Sequence, residues 1–179
     1  REALVQLALH AMPFESHKKL WNTLDVGYFM RHDAGDIAWH TRQLSRIIEH
    51  RQPEDASRAI VRARISPVGE GMQVLVYTPD QPDLFARICG YFDQAGFSIL
   101  DAKVHTASDG RALDTFQVVT AALPEHYREL ISMVETNLAR TIDQAGPLPP
   151  PSRGRVSRRV KSFPIAPRID LRPDDKAQR

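Results

Sequence analysis

The feature that most constrains this chain is a change of hydrophobic period around residues 79–84. Before it, MQVLVYT (Met72 to Thr78) is dense in β-branched and large apolar residues and reads as a strand. After it, Leu84, Phe85, Ile88, Cys89, Phe92 and Ala95 recur at helical spacing. Gly96 then stands where a left-handed residue ends a helix. The connection, PDQPD, is short and rich in proline and aspartate. A strand that turns so tightly into an amphipathic helix must lay that helix back on a sheet.

The pattern continues. Phe97 to Thr106 reads as a second strand whose apolar parity shifts between Ile99 and Ala102, which predicts a bulge or a twist. Ser108-Asp109-Gly110-Arg111 is a hairpin turn, with Asp-Gly supplying positive φ. Leu113 to Thr120 is a third strand. Tyr127, Leu130, Ile131, Val134, Leu138 and Ile142 form the apolar stripe of a second helix. The order β-α-β-β-α needs one more strand. Pro167 to Arg172 offers one, with Ile169 and Leu171 alternating with Arg168, Asp170 and Arg172. The closed β-α-β-β-α-β unit is an α+β, ferredoxin-like sandwich. Both helices cover one face of its antiparallel sheet, and the other face is left for a second copy or a neighbouring domain.

Residues 1–56 read as a helical segment. Leu4, Leu7, Ala8 and Ala11 lie at helical spacing, as do Leu20 and Leu24 with Trp21 beside them. Asp33-Ala-Gly-Asp36 resembles a capping box, followed by the stripe Ile37, Thr41, Leu44 and Ile48. HRQPEDAS (His50 to Ser57) is a polar break with Pro53 and marks the boundary. Residues 57–145 form the sandwich core. Residues 146–179 form a proline-rich, then basic, connection with the last strand.

Composition narrows the function classes. A formal net charge of +2 demands neither nucleic acid nor membrane. No apolar run approaches the ~18 residues of a membrane span, and the N-terminal stretch lacks a basic leader and cleavage site. One cysteine, Cys89, excludes an intrachain disulfide, fits a reducing cytoplasm, and reads as a packing thiol on its helix face rather than a nucleophile. His32-Asp33 has the form of a metal-phosphohydrolase dipeptide. His10, His17, His40 and His50 add no ligand spacing, and a helix cap is wanted at that place. His40 reads as a half-buried structural histidine, with contact to a neighbouring domain as the alternative. Asp101 and Asp114, in adjacent strands, read as solvated or ion-paired residues rather than an acid–base pair. Arg153, Arg155, Arg158, Arg159 and Lys161 read as a solvated linker, with phosphate contact as the alternative. No phosphate loop, nucleophile elbow or HExxH pair is present.

The opening turn supports two readings equally. Its orphan helix amides can accept an anion. Asp80 as the helix N-cap, Pro82 in the first helical turn and Asp83 can equally cap the same amides.

The stretch VLVYTPDQPDLFARICGYFDQAGFSILDAKVHTASDGRALDTFQVV resembles an ACT domain, a small ferredoxin-like module that senses amino acids. PDLFARI followed by ILDAKVHTASDGRALDTF resembles the first of two ACT domains of the bifunctional uridylyltransferase/uridylyl-removing enzymes of bacterial nitrogen regulation. Tyr28-Phe29 through DIAWHTRQL is similar to the helical segment before that domain, and RRVKSFPIAPRIDL to the segment that leads to the second. The resemblance implies a cytoplasmic regulatory segment of a multifunctional enzyme. That family's nucleotidyltransferase and HD-type hydrolase domains, which use Mg, transfer UMP from UTP to the PII protein and remove it again, under allosteric control by L-glutamine. Neither catalytic signature is present in this chain. The implied partners are the other domains of the enzyme, PII through them, and a second ACT domain. The alternative is a docking or dimerisation module without ligand. The implied effector contacts are Asp80, Gln81, Pro82, Asp83 and Leu84, with Phe97, Ser98 and Ile99 at the start of the next strand. Many effector-binding ACT loops carry glycine at the position of Asp83, and an aspartate there repels an amino acid's α-carboxylate.

Overall fold

The computed structural model describes residues 1–9, 15, 17–121 and 124–151. Its α-helices are α1 (Glu2–Leu9), α2 (Lys18–Trp21), α3 (Val26–Arg31), α4 (Ala34–His50), α5 (Leu84–Gln94) and α6 (Tyr127–Gln144). Its strands are β1 (Ile60–Ile65), β2 (Met72–Pro79), β3 (Ser98–Lys103) and β4 (Arg111–Val119). They form one antiparallel sheet in the order β1-β2-β4-β3. The expected bulge is present as a register shift between Ile99 and Asp101. The Asp-Gly turn has Gly110 at φ 78°, and Asp109 Oδ1 accepts from the Arg111 N–H at 3.2 Å.

The α+β sandwich forms as expected, but its fourth strand comes from the other side of the core. β1 pairs with β2, Ile60 opposite Tyr77 and Ile65 opposite Met72. The described order is therefore ββαββα. Residues 167–172, expected to supply the last strand, lie outside the described residues, and β1 holds the outer edge of β2. Side chains of α6 reach the outer edge of β1. Asp143 Oδ1 accepts from the Ala59 N–H at 2.7 Å, and Glu135 Oε1 from the Ala63 N–H at 2.9 Å. Those carboxylates occupy edge donors that would otherwise be open to another strand.

The sheet has a core on each face. On one, Leu84, Ile88 and Phe92 of α5 and Val134, Leu138 and Ile142 of α6 pack on Val74, Val76, Phe116 and Val118. On the other, Tyr28, Trp39 and Leu44 of the helical segment pack on Ile60, Leu75, Tyr77 and Leu113. The face expected to await a second copy or a neighbouring domain is thus covered by this chain's own helices. Burial on both faces explains why β2 is a nearly unbroken apolar run rather than an alternating one.

A polar seam registers the helical layer on the sheet. Asp33 caps α4 as expected, its Oδ1 accepting from the Asp36 N–H at 2.7 Å. Asp36, one turn in, accepts from Arg64 Nη2 at 2.8 Å and Gln73 Nε2 at 2.9 Å. Arg64 also donates through Nε to Gln73 Oε1 at 2.7 Å and lies 4.2 Å over the Trp39 ring. Four residues along α4, His40 is fully buried. The Tyr28 hydroxyl lies 2.7 Å from His40 Nδ1, and Thr115 Oγ1 lies 3.4 Å from His40 Nε2.

Candidate functional site

The turn at 79–84 forms one wall of a cavity of about 410 Å³, lined by Asp80, Gln81, Asp83 and Leu84 together with Phe85, Ala86, Val104, Thr106, Ala112 and Asp114. The start of the loop is anchored twice. The Asp80 N–H donates to Gly110 O at 3.0 Å, and Gln81 Nε2 donates to Ile142 O of α6 at 3.4 Å. Pro82 is exposed and lies before α5, not within its first turn.

The N-cap of α5 is Asp83, not Asp80, and its side chain makes no capping bond. Asp83 adopts φ 60°, ψ 16°, the left-handed region. A non-glycine residue pays a steric penalty there, though aspartate less than most. The backbone shape that favours glycine is therefore retained with a carboxylate in its place.

Phe97, Ser98 and Ile99 do not join this loop within the chain. Ser98 pairs with Val119 at one end of β4, whereas Pro79 pairs with Arg111 at the other. At about 3.3 Å per residue the two groups are roughly 26 Å apart along the strand. Phe97 is buried against Phe92 in the α5 core.

Asp114, expected to be solvated or ion-paired, is instead buried and hydrogen-bonded to a backbone amide. It pairs with Val76, so it faces α5, and it is 1% exposed at the cavity wall. Its Oδ1 accepts from the His105 N–H at 3.2 Å. Burial pushes its carboxyl up to about 6; the His105 amide opposes the rise and the Asp80 carboxylate adds to it. Asp80, Asp83 and Asp114 give the cavity an acidic lining, which suits an ammonium group and repels a carboxylate. Asp101 pairs across to Gln117 and is exposed, so it does not form a carboxylate pair with Asp114.

The other candidates resolve structurally. His32 is 5% exposed at the end of α3, with Nδ1 3.0 Å from Tyr28 O, and burial lowers its pKa. His40 is the structural histidine of the seam. Cys89 is half-buried against the α5 core, and burial raises its thiol pKa. The basic run Arg153–Lys161 lies outside the described residues. Among the described residues no three His, Cys, Asp or Glu side chains are grouped to hold a metal ion. No described helix is long and apolar enough to cross a membrane.

A family model described as the uridylyltransferase GlnD fifth domain matches residues 1–43, the helical segment through most of α4. The chain is 55% identical to the bifunctional uridylyltransferase/uridylyl-removing enzyme of Ralstonia nicotianae, over 99% of this chain and 20% of that protein. It is 52% and 51% identical to the proteins of the same name from Cupriavidus pinatubonensis and Cupriavidus metallidurans, with the same coverage. No solved structure matches. The chain spans about a fifth of the length of these curated relatives. Aligned over almost its whole length with one segment of them, the chain belongs to the bifunctional uridylyltransferase/uridylyl-removing enzyme family.

Proposed function

We propose that this chain is the regulatory ACT-type segment of such an enzyme, carrying a glutamine signal between its loop cavity and its helical layer. The signal would set the balance between UMP transfer from UTP to PII and hydrolysis of PII-UMP, reactions performed by other domains. The observation that carries the reading is the shared core of sheet and helices, locked by Asp36–Arg64–Gln73 and Tyr28–His40–Thr115. A ligand that favours one arrangement of the sheet must then favour one arrangement of α4. The loop cavity supports an effector that presents its ammonium group inward, toward Asp114.

Calorimetry with L-glutamine tests this, on the chain alone and on one extended through a second ACT domain. Saturable binding to the chain alone makes it a sensor, and binding only to the longer protein makes it a transmitter. Binding to neither sinks the regulatory reading and leaves a docking module, to be assayed as affinity for the catalytic domains. That second reading draws support from Asp83, whose carboxylate stands where an effector's carboxylate would need room.

A further inference from the structure

On the opposite face of the sheet from the loop cavity, three cations converge. Lys19 of α2, Arg51 just after α4 and Arg111 at the start of β4 line a cavity of about 270 Å³, together with Tyr77, Pro53 and Asp109. Each cation is held by neutral backbone carbonyls. Lys19 Nζ donates to Ile48 O at 3.2 Å. Arg51 donates through Nε to Asp55 O at 2.7 Å and through Nη2 to Arg58 O. Arg111 donates through Nη2 to Ala56 O at 2.8 Å, with its guanidinium 5.5 Å over the Tyr77 ring. These contacts fix the side chains without neutralising them.

What remains is unmatched. Nη1 of Arg51 and Nη1 of Arg111 are both buried and both lack a partner. A buried donor without an acceptor costs on the order of 1–3 kcal/mol, and more when charged. The two guanidinium groups also repel each other; burial first, then the Arg111 charge, lowers the Arg51 pKa. The carboxylate in the cavity, Asp109, reaches only 3.9 Å from Arg111 Nε. Asp55 pairs with Arg58 at 3.2 Å, and Asp143 accepts from the Ala59 N–H; both carboxylates partly offset the Arg51 charge, but neither lines this cavity. Three positive side chains less one carboxylate leave a formal charge of +2.

We infer that this cavity is an oxyanion site that takes a phosphate group, free or esterified, between Arg51 and Arg111 with Lys19 at its rim. A phosphate dianion matches the surplus charge, whereas a carboxylate leaves one positive charge over. Its oxygens offer charge-assisted acceptors to the two guanidinium groups and the Lys19 ammonium that line the cavity. The cavity has room for an ester substituent beside the Tyr77 ring and Pro53. Because the three cations come from α2, the end of α4 and β4, a bound phosphate fastens the helical segment to the sheet and stabilises that joint by mass action.

The test is an amide-resolved NMR titration of the chain at constant ionic strength, with inorganic phosphate, a nucleoside 5′-monophosphate, the nucleoside alone and chloride. The site predicts saturable shifts at Lys19, Arg51 and Arg111 with both phosphates, weakened at least tenfold in Lys19→Gln and Arg111→Gln. Tighter binding of the monophosphate identifies an esterified ligand, and equal binding identifies phosphate itself. The same shifts with the nucleoside or chloride overturn the assignment. So does phosphate binding that neither substitution weakens, or no saturable shift at all. Lys19 is exposed, so its variant keeps the test valid if Arg111→Gln does not fold.

Discussion

The Asp36 carboxylate of α4 accepts from the Arg64 guanidinium of β1 at 2.8 Å, with Asp36 7% and Arg64 22% exposed at the side chain. This pair joins the helical segment to the sheet, and Gln73 and Trp39 close around it. Lys103 Nζ stands 3.8 Å from the other Asp36 oxygen. Replacing Asp36 with alanine strands Arg64 in a partly buried site. Chemical denaturation should show a loss of about 3 kcal/mol. A loss below about 0.5 kcal/mol would mean the seam does not hold the layers together.

Asp83→Gly should stabilise the chain by about 0.5–1 kcal/mol, because the left-handed backbone suits glycine, partly offset by its unfolded-state freedom. Asp83→Val should destabilise it, since a β-branched residue resists that conformation more than aspartate does. Equal midpoints in urea for all three proteins would contradict the assigned backbone.

Two buried groups set opposite pH dependences. Burial, then the neighbouring His32, Arg64 and Lys103 charges, holds the His40 pKa well below its ordinary 6.5. The unfolded chain therefore binds the extra proton, and His40 costs stability progressively as pH falls below about 6.5. Asp114 acts the other way. Its carboxyl is raised to about 6, so its cost is absent below the ordinary aspartate value near 4 and grows as pH rises through 6. Asp114→Asn should accordingly raise stability at pH 7 by about 2 kcal/mol and change it little at pH 4. Denaturation midpoints from pH 4 to 7.5 measure both, and an Asp114→Asn effect of equal size at the two ends would refute the assignment.

A chain ending at Pro151 should keep its stability to within about 0.5 kcal/mol, because β1 already holds the edge beside β2. Glu135→Ala should speed hydrogen exchange at the Ala63 amide, which Glu135 covers. A large loss on truncation would return residues 167–172 to the sheet.

Much of this fold could be read from local pattern. Leu84, Ile88 and Phe92 fall on one helical face, Gly96 ends that helix at φ 80°, and Asp33 caps α4. Strand β1 was missed because Arg62 and Arg64 interrupt its apolar residues, and Arg64 reads as solvent-facing until Asp36 and Trp39 are brought to it. The unbroken apolar run of β2 carried a signal for burial on both faces that the expectation of one open face left unused. In the loop, Asp80, Gln81, Asp83 and Leu84 do line one cavity, whereas Phe97, Ser98 and Ile99 lie at the far end of the sheet. Register decides that distance, and no local motif states it. Asp114 faces the cavity for the same reason. Arg51 and Arg111 meet only through tertiary packing across 60 positions of sequence, beyond the reach of any spacing rule.

The central claim is that helical layer and sheet form one cooperative unit through which a signal can pass. Native-state hydrogen exchange in rising urea tests it most directly, following amides of α4 around Trp39 and His40 beside those of β2 around Leu75 and Val76. The account predicts that both sets converge on one opening free energy and one urea dependence. Exchange of α4 through a separate, lower-energy opening while β2 stays protected would contradict it.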